Sequence, residues 1–241
     1  MILVDMNQVT ISNLMMQIKY NDLSVDLVRH LVLNSIRSYR TKFSNDYGEL
    51  ILCYDDKHYW RREYFPNYKS NRKKDRTDSC VNWNELFEKI LILSGDKDFI
   101  QLQVHNNVQQ YSPTLKKYVN GKNPDDYKIE HIFKGDRGDG IPNILSPDNT
   151  FTDGLRQRPL GKKKIDDWKQ VGTWPIDSWN DELKRNFQRN SKLIDLSLIP
   201  DEIKNNIYKC WNEKYDNTRS KILPYFMKHR LRELTERLGD F

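Results

Sequence analysis

Three short, almost uninterrupted apolar runs, at residues 1–4, 50–54 and 90–93, restrict the possible folds of this chain more than any other feature. A strand with one face in water alternates apolar and polar residues, whereas a continuous apolar run suits a strand covered on both faces. Between the first two runs, residues 24–39 carry Leu27, Val28, Leu31, Val32, Ser35 and Ile36 at helical spacing, with Ser24 as a candidate N-cap. Strand, helix, strand is a βαβ unit with parallel strands. The sequence therefore predicts an α/β protein: a central, mostly parallel sheet with helices on both faces and a helical C-terminal part. Further helical patterns lie at 192–214, interrupted at Pro200, and at 221–238. Residues 114–179 are rich in Pro, Gly and Lys, and Gly135, Gly138, Gly140, Gly154, Gly161 and Gly172 mark turns there, so loops and short helices are expected.

Several classes of function are disfavoured. No stretch approaches the roughly 20 apolar residues of a membrane span, and the sequence opens without a basic segment leading an apolar one, so no secretory signal is read. The three cysteines, Cys53, Cys80 and Cys210, form no CxxC pair and suggest neither a disulfide framework nor a zinc ribbon. An intracellular compartment is expected. His30, His58, His105, His131 and His229 are scattered without metal-ligand spacing and are read as surface or core residues. No Walker or dinucleotide loop calls for a nucleotide cofactor. What remains is a 241-residue chain with 31% charged residues and a net charge of +6.

The acids are distributed in a pattern. In a parallel sheet the C-terminal strand ends share one edge, and ligands bind in the crevice outside it. Asp5 ends the first apolar run, Asp55 and Asp56 follow the second, and Asp96 and Asp98 follow the third in Ser94-Gly95-Asp96-Lys97-Asp98. Asp136 and Asp139 lie further on, in Gly135-Asp136-Arg137-Gly138-Asp139-Gly140. A lone Asp after a strand is usually a turn former or helix cap; an Asp after every strand is a pattern. Carboxylates gathered at one edge repel one another unless cations compensate. Mg²⁺ is suited to a few carboxylates plus water, and a pair of such ions can activate water and stabilise the leaving oxygen of a phosphodiester.

Directly after Asp55 and Asp56, cations alternate with aromatics: Tyr59-Trp60-Arg61-Arg62-Glu63-Tyr64-Phe65-Pro66-Asn67-Tyr68-Lys69-Ser70-Asn71-Arg72-Lys73-Lys74. Cations neutralise phosphates and aromatic faces stack on unpaired bases, so Arg61, Arg62, Tyr64, Tyr68 and Lys73 are candidate nucleic-acid contacts. The plainer alternative is a solvated basic helix with its aromatics in the core.

These residues resemble the 5′ nucleases, the family that includes flap endonucleases and the 5′ nuclease domain of bacterial DNA polymerases. The segment from Arg62 through Tyr64-Phe65-Pro66-Asn67-Tyr68-Lys69-Ser70-Asn71-Arg72 resembles the family's Arg, Tyr-Pro-x-Tyr-Lys-x-Asn-Arg segment, and Ser94-Gly95-Asp96-Lys97-Asp98 its Ser/Thr-x-Asp-x-Asp motif. Gly135-Asp136-Arg137-Gly138-Asp139-Gly140-Ile141-Pro142 is similar to the signature that opens a helix-three-turn-helix, and Asn190 with Leu193-Ile194-Asp195-Leu196 to a later family segment. The motifs occur in family order along nearly the whole chain.

The resemblance implies a PIN/5′-nuclease-like core over residues 1–134, with a basic arch at about 57–80, followed over 135–241 by a helix-three-turn-helix and a helical region. It implies a hydrolase using two Mg²⁺ ions, with Mn²⁺ as a substitute, that removes RNA primers and 5′ flaps in phage lagging-strand replication. Asp5, Asp55, Asp96, Asp98, Asp136 and Asp139 become metal ligands, directly or through water. Lys69 and Arg72 contact the scissile phosphate, and Lys162, Lys163 and Lys164 grip duplex backbone. The implied partners are DNA and RNA–DNA hybrids with a 5′ flap or fork, together with a sliding clamp and a single-strand-binding protein. The implied setting is a monomer in the cytoplasm of an infected bacterial host.

One departure matters. Family members carry a Glu-Ala-Asp-Asp cluster between the arch and the Ser-x-Asp-x-Asp strand, whereas here Trp83-Asn84-Glu85-Leu86-Phe87-Glu88 runs straight into Lys89-Ile90-Leu91. Glu85 and Glu88, in an amphipathic stretch, are poor substitutes. Either the sequence joins two pieces of a longer chain near 86–89 and the enzyme itself is intact, or a genuine internal deletion leaves a catalytically impaired protein that binds flaps and forks. The basic C-terminal stretch, with Lys228, His229, Arg230, Arg232 and Arg237 beside Leu231, Leu234 and Leu238, reads as a DNA-contacting face, a docking helix or a solvated amphipathic helix.

Overall fold

The computed structural model describes residues 1–18, 25–54, 60–69, 90–120, 123–213 and 219–241. The three apolar runs are strands: β1 (Ile2–Asp5), β2 (Leu50–Cys53) and β3 (Ile90–Leu93). With β4 (Val108–Ser112) and β5 (Lys117–Tyr118) they form one sheet in the order β2-β1-β3-β4-β5, parallel except for the terminal β5. Ile2 sits opposite Leu50 on one side and Leu91 on the other. The chain thus leaves β1 toward one edge of the sheet and returns on its other side, placing a topological switch point between β1 and β3.

Both faces of β1 and β3 are covered, which accounts for their unbroken apolar runs, whereas β2 lies at the sheet edge and leaves Leu52 39% exposed. Helix α1 (Met6–Ile18) leaves β1 directly, and α2 (Val25–Tyr47) crosses back over the sheet. On that face Val4, Leu91 and Leu93 pack with Met6, Val9 and Phe43. On the other face Ile90, Ile92 and Val108 pack against Phe99 and Leu102, from a 3-10 helix at Lys97–Val104. Helix α2 is longer than its sequence pattern suggests, and the candidate cap Ser24 lies outside the described residues.

After the short α3 (Trp60–Tyr64), the C-terminal part contains α4 (Pro124–Lys134), α5 (Lys162–Val171), α6 (Asp181–Ile194) and α7 (Asp201–Asn212). Phe133 is fully buried at its centre, with Trp168, Trp174, Trp179 and Phe187 ring centroids 5.4–6.2 Å away. The helical pattern expected over 192–214 is found only in part: α6 begins earlier and ends at Ile194, a 3-10 turn at Leu196–Leu198 follows, and α7 starts after Pro200. The continuous helix expected over 221–238 is not found. It is divided into α8 (Ile222–Lys228) and α9 (Arg232–Thr235), because Arg230 takes a left-handed backbone with φ +54°, which no helix accommodates. Residues 70–89, including the junction near 86–89, lie outside the described residues. No helix among the described residues is long and apolar enough to cross a membrane.

Candidate metal and nuclease site

Asp5 and the turn bearing Asp96 and Asp98 lie at the C-terminal ends of the adjacent strands β1 and β3. Asp5 uses both oxygens: Oδ1 accepts from Gln8 N–H at 3.0 Å, capping the start of α1, and Oδ2 accepts from Ser94 Oγ at 2.9 Å. Ser94 Oγ in turn accepts from Asp96 N–H at 3.1 Å, and Gly95 N–H donates to Gln8 Oε1 at 2.6 Å. The two strand ends are thereby stitched into one turn. Buried Gln110 of β4 completes it, its amide donating to the carbonyls of Ser94 at 2.8 Å and Asp96 at 2.6 Å. Asp96 Oδ1 accepts from Asp98 N–H at 3.1 Å, which leaves Asp98 projecting toward α4.

From α4 comes a residue that sequence reading assigned no role in the site. His131, in the last turn of the helix, has Nε2 3.3 Å from Asp136 Oδ2 and Nδ1 3.6 Å from Asp98 Oδ1. Its sequence lacks His-x-x-x-His spacing, but His131 lies just one helical turn before the Gly135-Asp136 motif, and that proximity was the available signal. Gly135 ends α4 with φ +66° and donates its N–H to His131 O at 2.8 Å. The chain then doubles back, with Asp136 and Ile141 paired through Ile141 N–H to Asp136 O at 2.7 Å. Within this loop Asp139 N–H donates to Asp136 Oδ1 at 3.0 Å.

Asp139 connects the loop to the segment that follows α3. Tyr68 Oη donates to its Oδ2 at 2.8 Å, Lys69 Nζ lies 3.4 Å from the same oxygen, and Lys69 N–H donates to Asp139 O. Lys69 holds a left-handed backbone at φ +52° to make these contacts. Two expected nucleic-acid contacts are instead interior. Arg61 and Tyr68 are only 6% and 4% exposed. The Arg61 guanidinium stacks over Trp60, and its Nε donates to Leu193 O at 2.9 Å, satisfying a carbonyl at the end of α6. For Tyr68 the plainer reading of the basic run holds, since its ring is spent on the core, whereas Arg61 fits neither reading, its guanidinium being buried rather than solvated or offered to bases. Arg62 is half-buried, with Nε 3.4 Å from Tyr68 O, and Tyr64 is exposed with Lys192 Nζ over its ring. Lys162, Lys163 and Lys164 open α5 and are exposed. Asp55, Arg72 and Lys73 lie outside the described residues.

The electrostatics are those of an anionic pocket. Burial first, then the charge of Asp96, pushes Asp98 up to about 7, against the pull of His131 and with help from Asp139 and Asp136. Asp136 goes the other way, to about 2, because the His131 hydrogen bond and the backbone amides of Asp139 and Gly138 favour its charge over the opposing effect of burial. Burial lowers the imidazole of His131, but the hydrogen bond to Asp136 and the charges of Asp98, Asp136 and Asp96 outweigh it, leaving the ring raised above its ordinary value. Carboxylate oxygens of Asp98 and Asp136 and a ring nitrogen of His131 lie within 4.8 Å of one another, close enough to share one ion. His131 Nδ1 is moreover buried without a hydrogen-bond partner. A divalent cation fits this donor set, since it cancels the repulsion and takes up the orphaned nitrogen.

These shifts predict how stability varies with pH when EDTA removes metal. Between about pH 4 and pH 7 the folded state holds the Asp98 proton that the unfolded chain has released, so stability falls as pH rises through that window. The raised His131 contributes stability at low pH that is also lost as pH rises through its folded value. The Asp136 contribution is full above about pH 4 and is lost only toward pH 2. The melting temperature in EDTA is therefore expected to drop from pH 5 to pH 8, and divalent cation to reduce the drop. A flat or rising profile in calorimetry would contradict the account of the pocket.

A family model described as T4 RNase H, C terminal, matches residues 124–241. The ribonuclease H of Enterobacteria phage T4 is 30% identical over 293 aligned residues, covering 99% of this chain and 95% of that protein. Because the alignment is longer than the 241 residues of this chain, part of the relative has no counterpart here. Among solved structures, a flap endonuclease of bacteriophage T5 in complex with DNA and metal ions aligns with a TM-score of 0.57 at 13% identity, over 87% of this chain and 96% of that one. A T5 protein co-crystallised with metal ions gives 0.56 at 12% identity, over 87% and 97%. At such identities the T5 likeness is one of fold. The T4 likeness runs nearly end to end in both sequences at an identity that fold alone does not explain, so the chain belongs to the T4 ribonuclease H family.

Proposed function

We propose that this chain is a divalent-metal-dependent 5′–3′ nuclease that hydrolyses phosphodiesters of RNA primers in RNA–DNA hybrids and of 5′ flaps during phage lagging-strand replication. The observation that carries the reading is the approach of Asp98 and Asp136 to His131 within 4.8 Å, with Asp96 and Asp139 near enough to act on the charge of Asp98 and Asp5 tied through Ser94 to the turn that bears Asp96. Mg²⁺ or Mn²⁺ held there would supply an activated water and neutralise charge on the phosphate. The aspartates hold the ions directly or through water, and Asp55 joins them on sequence grounds. Lys69, whose ammonium lies 3.4 Å from Asp139 Oδ2, would stabilise the charge that develops on the phosphate, with Arg72 in the same role. Helix α4, the succession of turns after it and α5 support a helix-three-turn-helix reading. There Lys162, Lys163 and Lys164 neutralise duplex phosphates without reading sequence, and Arg62, Tyr64 and Lys73 meet the flap. A clamp and a single-strand-binding protein remain partners by resemblance, in the host cytoplasm.

Cleavage of a 5′-flap duplex and of an RNA–DNA hybrid, with Mg²⁺ and with EDTA, tests the reading; single-stranded RNA serves as the control for a PIN-like ribonuclease. Metal-dependent release from the 5′ side is expected. Lys69→Ala is expected to slow cleavage by about a hundredfold while leaving flap affinity within a few-fold, measured by single-turnover kinetics and fluorescence anisotropy. A second reading is favoured by the stretch of the T4 relative that has no counterpart here: flap binding without turnover. Tight binding with no cleavage under any metal would establish that reading and overturn the first.

A further inference from the structure

His131 has the buried, unpartnered nitrogen of the pocket: its side chain is 9% exposed, and Nδ1 has no hydrogen-bond partner. The ring is held on two sides. Nε2 lies 3.3 Å from Asp136 Oδ2, and the Tyr127 ring packs against the imidazole at 5.6 Å between centroids. An Nε2–H donated to Asp136 fixes the tautomer, leaving the Nδ1 lone pair facing Asp98 Oδ1 across 3.6 Å. That separation is too long for a hydrogen bond. It suits two ligands of a single cation, which at bond lengths of about 2.1 Å stand roughly 3 Å apart at right angles and further apart at wider angles.

We propose that His131 is a nitrogen ligand of the divalent-cation site, with Asp98 as its neighbouring oxygen ligand and Asp136 as the carboxylate that orients the ring, and that the site consequently favours Mn²⁺ over Mg²⁺. The inference rests on the metal-dependent reading above. Mg²⁺ is a hard ion that keeps oxygen ligands and water, whereas Mn²⁺ accepts an imidazole nitrogen more readily, so one nitrogen in an otherwise carboxylate site shifts the balance. A carboxylate paired with a histidine that ligates a metal is also the usual way a ring is held for coordination.

Pulsed EPR of the full chain loaded with Mn²⁺ tests this without reference to cleavage. The expected spectrum shows ¹⁴N modulation from a directly coordinated imidazole. His131→Asn removes the modulation and weakens Mn²⁺ binding by about tenfold or more, with a smaller change for Mg²⁺ measured by competition. Mn²⁺ bound without ¹⁴N coupling overturns the inference and leaves a purely carboxylate site, and the nuclease reading, standing. A folded chain that binds no Mn²⁺ overturns both. The wild-type spectrum decides the matter even if the variant fails to fold.

Discussion

Replacing Asp98 with Asn is expected to cut metal-dependent cleavage on the order of a thousandfold and, at pH 8 in EDTA, to raise the melting temperature. The two effects have one cause. Asp98 is held up to about 7 by burial and by Asp96, Asp139 and Asp136, so its charge is a cost to the fold that a neutral amide removes. That same charge is what a cation would be drawn to. Asp136→Asn is the contrasting case. Its carboxylate, near 2, is favoured by His131 and by the Asp139 and Gly138 amides, so neutralising it loses both activity and stability. An Asp that served only as a turn former would behave like Asp136 in the melt and like neither in the assay. Unchanged cleavage by Asp98→Asn, or a lower melting temperature at pH 8, would remove Asp98 from the site.

Gly135→Ala carries the largest expected structural effect. The residue has φ +66°, and an added Cβ would lie 2.3 Å from Ile141 O and 2.6 Å from Pro142 O, backbone atoms that cannot swing aside. Relief requires breaking the Asp136–Ile141 pairing that aims Asp136 and Asp139. A loss of about 3 kcal/mol or more is expected, equivalent to roughly 6–12 °C in melting temperature for a chain of this size, with cleavage falling alongside. Gly154→Ala is the comparison, because Gly154 also has φ +66° but nothing within 4 Å of the added atom. It should lose only the backbone contribution, roughly 1–2 kcal/mol. Equal losses in the two variants, compared by calorimetry, would show that the close approach at Gly135 is not what matters there.

What the sequence made legible follows from which forces write themselves into a local pattern. Strands β1 and β3 were readable because burial on both faces leaves an apolar run, and the switch point sets Asp5 beside the turn that bears Asp96, whereas β2 reads the same way although it lies at the sheet edge with Leu52 exposed. Strand β4 was not, since Gln109 and Gln110 read as polar, although Gln110 is buried and spends its amide on the Ser94 and Asp96 carbonyls. Helix α1 was missed because its apolar residues keep no clear helical period and its cap is Asp5, which the sequence offers as a metal ligand. Arg61 and Tyr68 show the limit of composition: alternating cations and aromatics suit a nucleic-acid groove and a packed core equally well, and only burial separates them. His131 depends on a partner 33 positions earlier in the chain, Asp98, which no local spacing encodes.

The later family segment beginning at Asn190 has a physical role that bears on when the pocket comes into existence. Fully buried Asn190 donates from one amide to Ile132 O at 2.8 Å and to Pro142 O at 2.9 Å, joining the helix that bears His131 to the loop that bears Asp136. Buried Arg189 beside it donates to Pro142 O at 3.0 Å and to Asp148. A nascent chain emerging from the ribosome therefore possesses the aspartates long before it possesses their spacing. The acids are set at working distance only once α6 has been synthesised and docked, so the growing polypeptide carries no finished cation pocket until most of its length has been translated.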